Sequence, residues 1–448
     1  MTGAFLIVCA VLGQALEADP FELVGQLGAP RFAVREKAAG DLERLGRASL
    51  PALRSAREAK DPEVRNRASV LVGKIESSLL TQASLVRLDF DDAPLPTVIR
   101  SLVEQTGVKL TLVPENSPTW ATRRVTLHDK APVPFWKAID RVCDAAHIQY
   151  NDGAHFPGGR APTFPLFDGA AHSTMPIYDS GPFRVGVVGV HFQRDFSFVG
   201  AAQSNRSAPG RGVSNKLVPT LNEQFFVQFQ VKAEPRLSVA QGGTLRITEA
   251  IDEHGNPLLI PPAPVTGASQ RVSGYYGFAP GPVVQLQGAM NHPKQAGSTI
   301  KKLKGVIPLA VSTRKPGPLT FPIAGASGRT FQNEDVALTF HDYKPAENNR
   351  PGTLEVSIRS VAGMASSAGF RSPELGVRPD VHQEQIEVVD SRGRLVPWYQ
   401  SNFDVEAGRL TMMFPSQEPG VKAVEMRYFA LTRALTEVPF EFTDLPLP

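Results

Sequence analysis

Cysteine is nearly missing from this 448-residue chain, which has two, Cys9 and Cys143. Cys9 falls within an apolar leader, so a mature chain keeps a single thiol; that excludes an intramolecular disulfide and any cysteine-based zinc site. An excess of charge is missing too. The 47 basic and 44 acidic residues leave a formal +3, too small and too dispersed to predict a nucleic-acid or anionic-membrane partner. After the leader no apolar run is long enough to span a bilayer. The sequence also lacks a GxxxxGK[ST] loop, a GxGxxG after a strand, HExxH, GxSxG and an EF-hand loop. "GASGR" (Gly325 to Arg329) has no closing glycine and reads as a turn. The nine histidines (His128, His147, His155, His172, His191, His254, His292, His341 and His382) include no pair at i, i+2 on one strand or i, i+4 on one helix. No catalytic residue, metal site or cofactor is therefore expected.

The leader itself, "MTGAFLIVCAVLGQALEADP", runs apolar from Ala4 to Leu12 and then offers small residues, Gly13 and Ala15, that suit cleavage. Residues 1–18 are expected to be a signal peptide that exports the chain to the periplasm or the extracellular space. It has no Lys or Arg, so the alternative is an uncleaved N-terminal helix anchored in the inner membrane. Val8, bulky where a lipidation signal has a small residue, argues against a lipid on Cys9.

Glycine (38) and proline (39) are plentiful and concentrate after residue 150, where short strands and many turns are expected. The stretch before that reads differently. Between residues 19 and 80 the apolar positions Val34, Ala38, Leu42 and Leu45, then Val64, Ala68, Leu71, Val72 and Ile75, fall at helical spacing. Asp61 and Pro62 can open the last helix and Gly46 can close an earlier one. "LGRASLPALRSAREAKDPEVRNRA" resembles a HEAT-type repeat. Such a repeat shares its core with neighbours. Its 11 basic and 9 acidic residues between Asp19 and Ser78 read as a solvated face.

Residues 84–152 predict strand, helix, two strands, helix, strand. Leu95, Val98, Ile99, Leu102, Val103 and Thr106 line one face of the first helix, closed by Gly107. Phe135, Trp136, Ile139, Val142, Cys143 and Ala146 line the second. With "LDFDDAPLPTVIRSLVEQTGVKLTL" and "VTLHDKAPVPFWKAIDRVC", this order resembles the short N-terminal domain of secretins and TonB-dependent receptors. The resemblance implies a small envelope contact module, although no secretin channel or outer-membrane barrel follows. The acids Asp89, Asp91 and Asp92 could belong to a metal or acid/base site. A local role is expected instead: Asp92 caps the first helix, Asp89 faces outward, and Asp129 caps the second helix.

Residues 153–180 read as a Gly/Pro-rich linker with room for one strand. The remainder alternates as strands, which argues for antiparallel sandwiches over 181–325 and 326–448. Two segments look like diverged copies: "TLRITEAIDEHGNPLLIP" and "QEQIEVVDSRGRLVPW" both place an Asp and a Gly three apart (Asp252 and Gly255; Asp390 and Gly393). "SGYYGF" and "VPWYQ" set adjacent aromatics in loops, which makes Tyr275, Tyr276, Trp398 and Tyr399 the candidate ligand-stacking residues.

The expected fold class is thus multidomain: an α-helical HEAT-like repeat, a small α+β module, then mostly antiparallel β in two sandwich-like domains. The architecture resembles that of bacterial exported proteins with HEAT-like repeats. The expected function is a non-enzymatic envelope or secreted scaffold that contacts protein partners. The alternatives are a carbohydrate-binding or carbohydrate-processing protein acting through the four aromatics, and an accessory of a secretin or TonB-type system.

Overall fold

A computed structural model describes residues 19–150, 164–169, 175–200, 217–260, 283–293, 295–315, 317–333, 336–346, 350–360, 385–404, 407–414 and 422–448. The expected signal peptide lies outside these residues. Among the described residues strand outweighs helix, at 49% against 25%, and most sheets are antiparallel, so this part of the chain is β-rich. It divides into two compact units at Leu79/Leu80.

The first unit holds helices α1 (Pro20–Gln26), α2 (Phe32–Leu45), α3 (Leu50–Ser55) and α4 (Pro62–Leu80). Ala38 and Leu42 of α2 and Val64, Ala68, Leu71, Val72 and Ile75 of α4 share one core with Leu23, Leu27, Leu50 and Leu53. Asp61 accepts the Glu63 amide at 2.8 Å, and Gly46 stops α2 with φ +55°. Arg35 and Arg65 occupy matching places one turn inside α2 and α4. Arg35 Nη1 bonds the Ala29 and Pro30 carbonyls, and Arg65 Nη1 bonds those of Ala59 and Lys60. Each arginine thereby ties its helix to the turn in front of it.

The second unit opens with an α/β module. Its elements are β1 (Leu85–Val86), β2 (Asp89–Pro94), α5 (Leu95–Thr106), β3 (Leu110–Val113), α6 (Thr119–Thr122), β4 (Arg124–His128), β5 (Val133–Pro134), α7 (Phe135–Ala146), β6 (Ile148–Tyr150) and β7 (Phe164–Asp168). α5 buries Leu95, Val98, Ile99 and Leu102 and ends at Gly107 in the left-handed region. α7 buries Phe135, Trp136, Ile139, Val142 and Cys143. β1 pairs with β5, β2 with β4, and β7 lies between β3 and β6, parallel to the first and antiparallel to the second. The segment expected as a linker therefore supplies the middle strand of a sheet. Its apolar residues are too few and too closely flanked by Pro and Gly to show an alternation.

Two double-layered β bodies follow. The first contains β8 (Ile177–Ser180), β9 (Phe183–Gly200), β10 (Leu217–Ala233), β11 (Ser238–Gln241), β12 (Arg246–Asp252), β13 (Val283–Met290) and β14 (Thr299–Arg314). β8 also begins inside the expected linker. The second contains β15 (Leu319–Pro322), β16 (Thr330–Gln332), β17 (Val336–Lys344), β18 (Gly352–Ser360), β19 (Ile386–Asp390), β20 (Tyr399–Asp404), β21 (Arg409–Phe414) and β22 (Ala423–Tyr428), and β23 (Leu431–Pro446) comes last. Sheets β13-β10-β9-β8 and β16-β17-β18-β21-β20 each face a sheet built on a central strand, β14 or β22. Buried side chains from both layers form one core in each body.

The expected boundary at residues 325/326 is corrected by β23. It pairs with β14 and not with the second body, and Val438, Phe440, Phe442 and Leu445 bury in the first core. β15, conversely, pairs with β22. Alternation shows which face of a strand is apolar but not which edge it joins.

The duplication seen in the sequence is structural. Asp252 and Asp390 end β12 and β19, each beside a bulge. Gly255 N donates to Asp252 O and Gly393 N to Asp390 O; the amides of Asp252 and Asp390 donate to the carbonyls of Asn256 and Arg394. Gly255 and Gly393 take φ +82° and +75°, a region that favours glycine.

Candidate functional site

The aromatics expected to stack on a ligand are not alike. Tyr275 and Tyr276 lie outside the described residues. Trp398 is 8% exposed and packs in the second β core, so its ring faces have no room for a ligand. Tyr399, at the start of edge strand β20, is 44% exposed.

The three clustered acids do not converge. Asp89 lies opposite His128, with Oδ1 at 3.0 Å from Nδ1. Asp91 and Asp92 form a bulge in β2, where Asp92 takes φ +42° and its amide bonds Thr126 Oγ1 at 3.0 Å. Pro94 is the N-cap of α5 and no side chain caps it. That corrects the capping role expected of Asp92, for a physical reason: the Leu95 amide already donates to Arg123 O and Pro96 has no N–H, so the helix start has little to satisfy. Asp129 does not cap α7 either; it pairs with Arg141 inside that helix. Among the described residues no three His, Cys, Asp or Glu side chains gather where a metal ion could sit.

The densest polar cluster was not legible in the sequence. Arg184 on β9 is 2% exposed. Its Nη1 and Nη2 bond Asp140 of α7 at 2.8 and 2.6 Å, and Nε and Nη2 bond Asp179 of β8 at 2.7 and 2.8 Å. Nη1 also reaches the Tyr150 hydroxyl at 2.6 Å. The guanidinium lies over the Trp136 ring, 5.0 Å from its centroid, while Trp136 Nε1 donates to Pro182 O at 3.1 Å. Burial by itself would lower the Arg184 pKa, but the bonds to Asp179 and Asp140 outweigh it and hold the group above the ordinary arginine value. A permanently charged fork between two carboxylates suits positioning better than proton transfer. Beside it, burial first and then Asp140 and Asp144 push the Cys143 thiol up to about 12, so it is a poor nucleophile at neutral pH.

A second cluster joins the same two bodies. Glu234, fully buried, accepts the Ser84 amide and hydroxyl at 2.8 and 2.7 Å and Arg236 Nε at 2.7 Å. Arg236 Nη2 in turn bonds Gln82 O at 2.6 Å. Both clusters fix the α/β module against the first β body.

An apolar surface accompanies them. β8 pairs with β9 only over Phe183–Gly186 and β13 with β10 only over Phe225–Lys232, so among the described residues β9 and β10 continue beyond their neighbours as a two-stranded ribbon. Phe192, Phe196 and Leu221 lie on one face of it, Phe196 63% exposed, around an Arg194–Glu223 pair at 2.8 Å. Phe192 stacks on His292 at 4.3 Å. No helix among the described residues is long and apolar enough to cross a membrane. Compared with known proteins, the chain matches no family model, no curated protein and no solved structure.

Proposed function

We propose that the chain is an exported scaffold of the cell envelope that presents its α/β module, fixed to the first β body, to protein partners. The observation that carries this reading is the Asp140–Arg184–Asp179 cluster: Arg184, anchored by Asp179 within the first β body, holds Asp140 of the α/β module through two bonds, a device for fixing one body against another. The short N-terminal domain that residues 84–152 resemble serves protein contacts, and the helical repeat and the leader agree with an interaction role outside the cytoplasm. The test is affinity capture from envelope extracts with the full chain and with Arg184→Met. Specific partners retained by the first and weakened with the second support the reading. An empty capture, together with turnover of a substrate by the purified chain, overturns it.

A further inference from the structure

Each β body is completed by a strand contiguous with the other. β14 continues into β15, which pairs with β22; β22 continues into β23, which pairs with β14. The two lines of chain stay antiparallel throughout, with Thr299 opposite Pro446, Arg314 opposite Leu431 and Leu319 opposite Tyr428. At the crossing, Lys315 N donates to Ala430 O at 2.8 Å.

The two guest strands occupy equivalent places. Asp252 and Asp390 lie opposite Ile300 and Ala423, which makes Leu303 and Met426 counterparts on the host strands. Phe442 lies opposite the first and Phe321 opposite the second. Both rings are buried, and each follows a proline by three residues, Pro439 and Pro318. The pair of bodies therefore has the internal symmetry of a strand-exchanged dimer within a single chain.

We infer that the β14 edge is a strand-acceptor site whose partner is a second copy of this chain, supplying its own β23. Charge singles out this strand. Glu437, Glu441 and Asp444 of β23 meet Arg246, Lys304 and Lys301 of the host sheet at 2.7, 3.0 and 2.7 Å. β15, "LTFP", has no acid to offer them. A second copy brings the same acids and the same buried rings, so an exchanged β23 remakes every contact of the original. The hinge would be Phe429 and Ala430, between β22 and β23, where the Lys315–Ala430 bond and the contact of Arg314 with the Phe429 ring must open. Self-association of this kind does not depend on the chain's being an envelope scaffold.

The test uses full-length chains with Cys9→Ser and Cys143→Ala. One carries Lys304→Cys and another Glu441→Cys, positions that face each other across the β14–β23 ladder at a separation a disulfide can span. The two are co-incubated at high concentration, oxidised and compared on a non-reducing gel. The expected result is a covalent dimer in the mixture that neither chain gives alone. A chain carrying both cysteines should close its bridge internally and stay monomeric when oxidised dilute. That closure also reports that β14 and β23 are folded together. If the doubly substituted chain closes its bridge and the mixture yields no mixed dimer, exchange between copies is overturned.

Discussion

Phe440 lies directly across the ladder from Gly305, and its ring covers the place where the glycine has no side chain. A Cβ on Gly305 would press into that ring and come within 2.5 Å of the Arg246 carbonyl oxygen. The equivalent pair in the second body is Tyr428 opposite Leu319, with the bulk moved from the guest strand to the host. Large and small residues are thus matched across the seam in both copies.

From this match, Gly305→Val should overpack the seam and cost about 1–3 kcal/mol. Phe440→Ala should cost about 3–5 kcal/mol through the cavity it leaves against Phe229. Denaturant titration of both variants is the check. A Gly305→Val chain as stable as wild type would show that the ring does not close over the glycine.

Arg184→Met should destabilise the joint between the α/β module and the first β body by about 3 kcal/mol. That is the low end for breaking a buried ion pair, because Asp140 and Asp179 are 36% and 39% exposed and can rehydrate. Arg184→Lys should recover little of the loss, since an ammonium cannot bridge both carboxylates as the fork does. Calorimetry should show the α/β module melting separately in the Met variant. One unchanged transition would contradict this account.

The turn aspartates predict the acid limb. Burial pushes the Asp252 carboxyl up, but bonds from Asn256, Gly297 and His254 outweigh it, and Asp390 is lowered in the same way by Arg394 and Arg392. Because the folded values lie below the unfolded ones, the stabilisation is fully present above the ordinary aspartate value of about 4 and is lost as pH falls through the folded values. Asp252→Asn should flatten the loss of stability in that window while lowering stability at pH 7. Melting temperatures measured across the acid range decide it, and an unchanged slope would remove Asp252 from the account.

Cys143, with its thiol pushed up to about 12, should resist a thiol reagent at pH 8 in the native chain and react once the chain is denatured. Peptide mapping after timed labelling reads this directly. Rapid native labelling of Cys143 would show that the core around α7 opens readily.

The elements written in local pattern were legible in the sequence: α5 from its apolar face and Gly107, α4 from Asp61 and Pro62, and the paired turns from Asp252, Gly255, Asp390 and Gly393. The features set by distant chain were not. Arg184 reads as a solvent-facing strand residue until Asp140 and Tyr150, far away in sequence, close over it. Asp92 has the composition of a cap, yet its helix begins with an amide already bonded and a proline. β23 alternates as any edge strand would, and its place beside β14 is set by the charges of the host sheet and by the core that receives Phe440 and Phe442. Among the proposed stacking residues, adjacent aromatics gave no sign that Trp398 turns inward while Tyr399 faces out.

The placement of β23 also sets an order of events during synthesis. Ribosomes finish β14 long before they reach Leu431, so the first body waits with an open, apolar-lined edge while the entire second body is made. A chain cut short before Leu431 would leave a region completed much earlier unable to close.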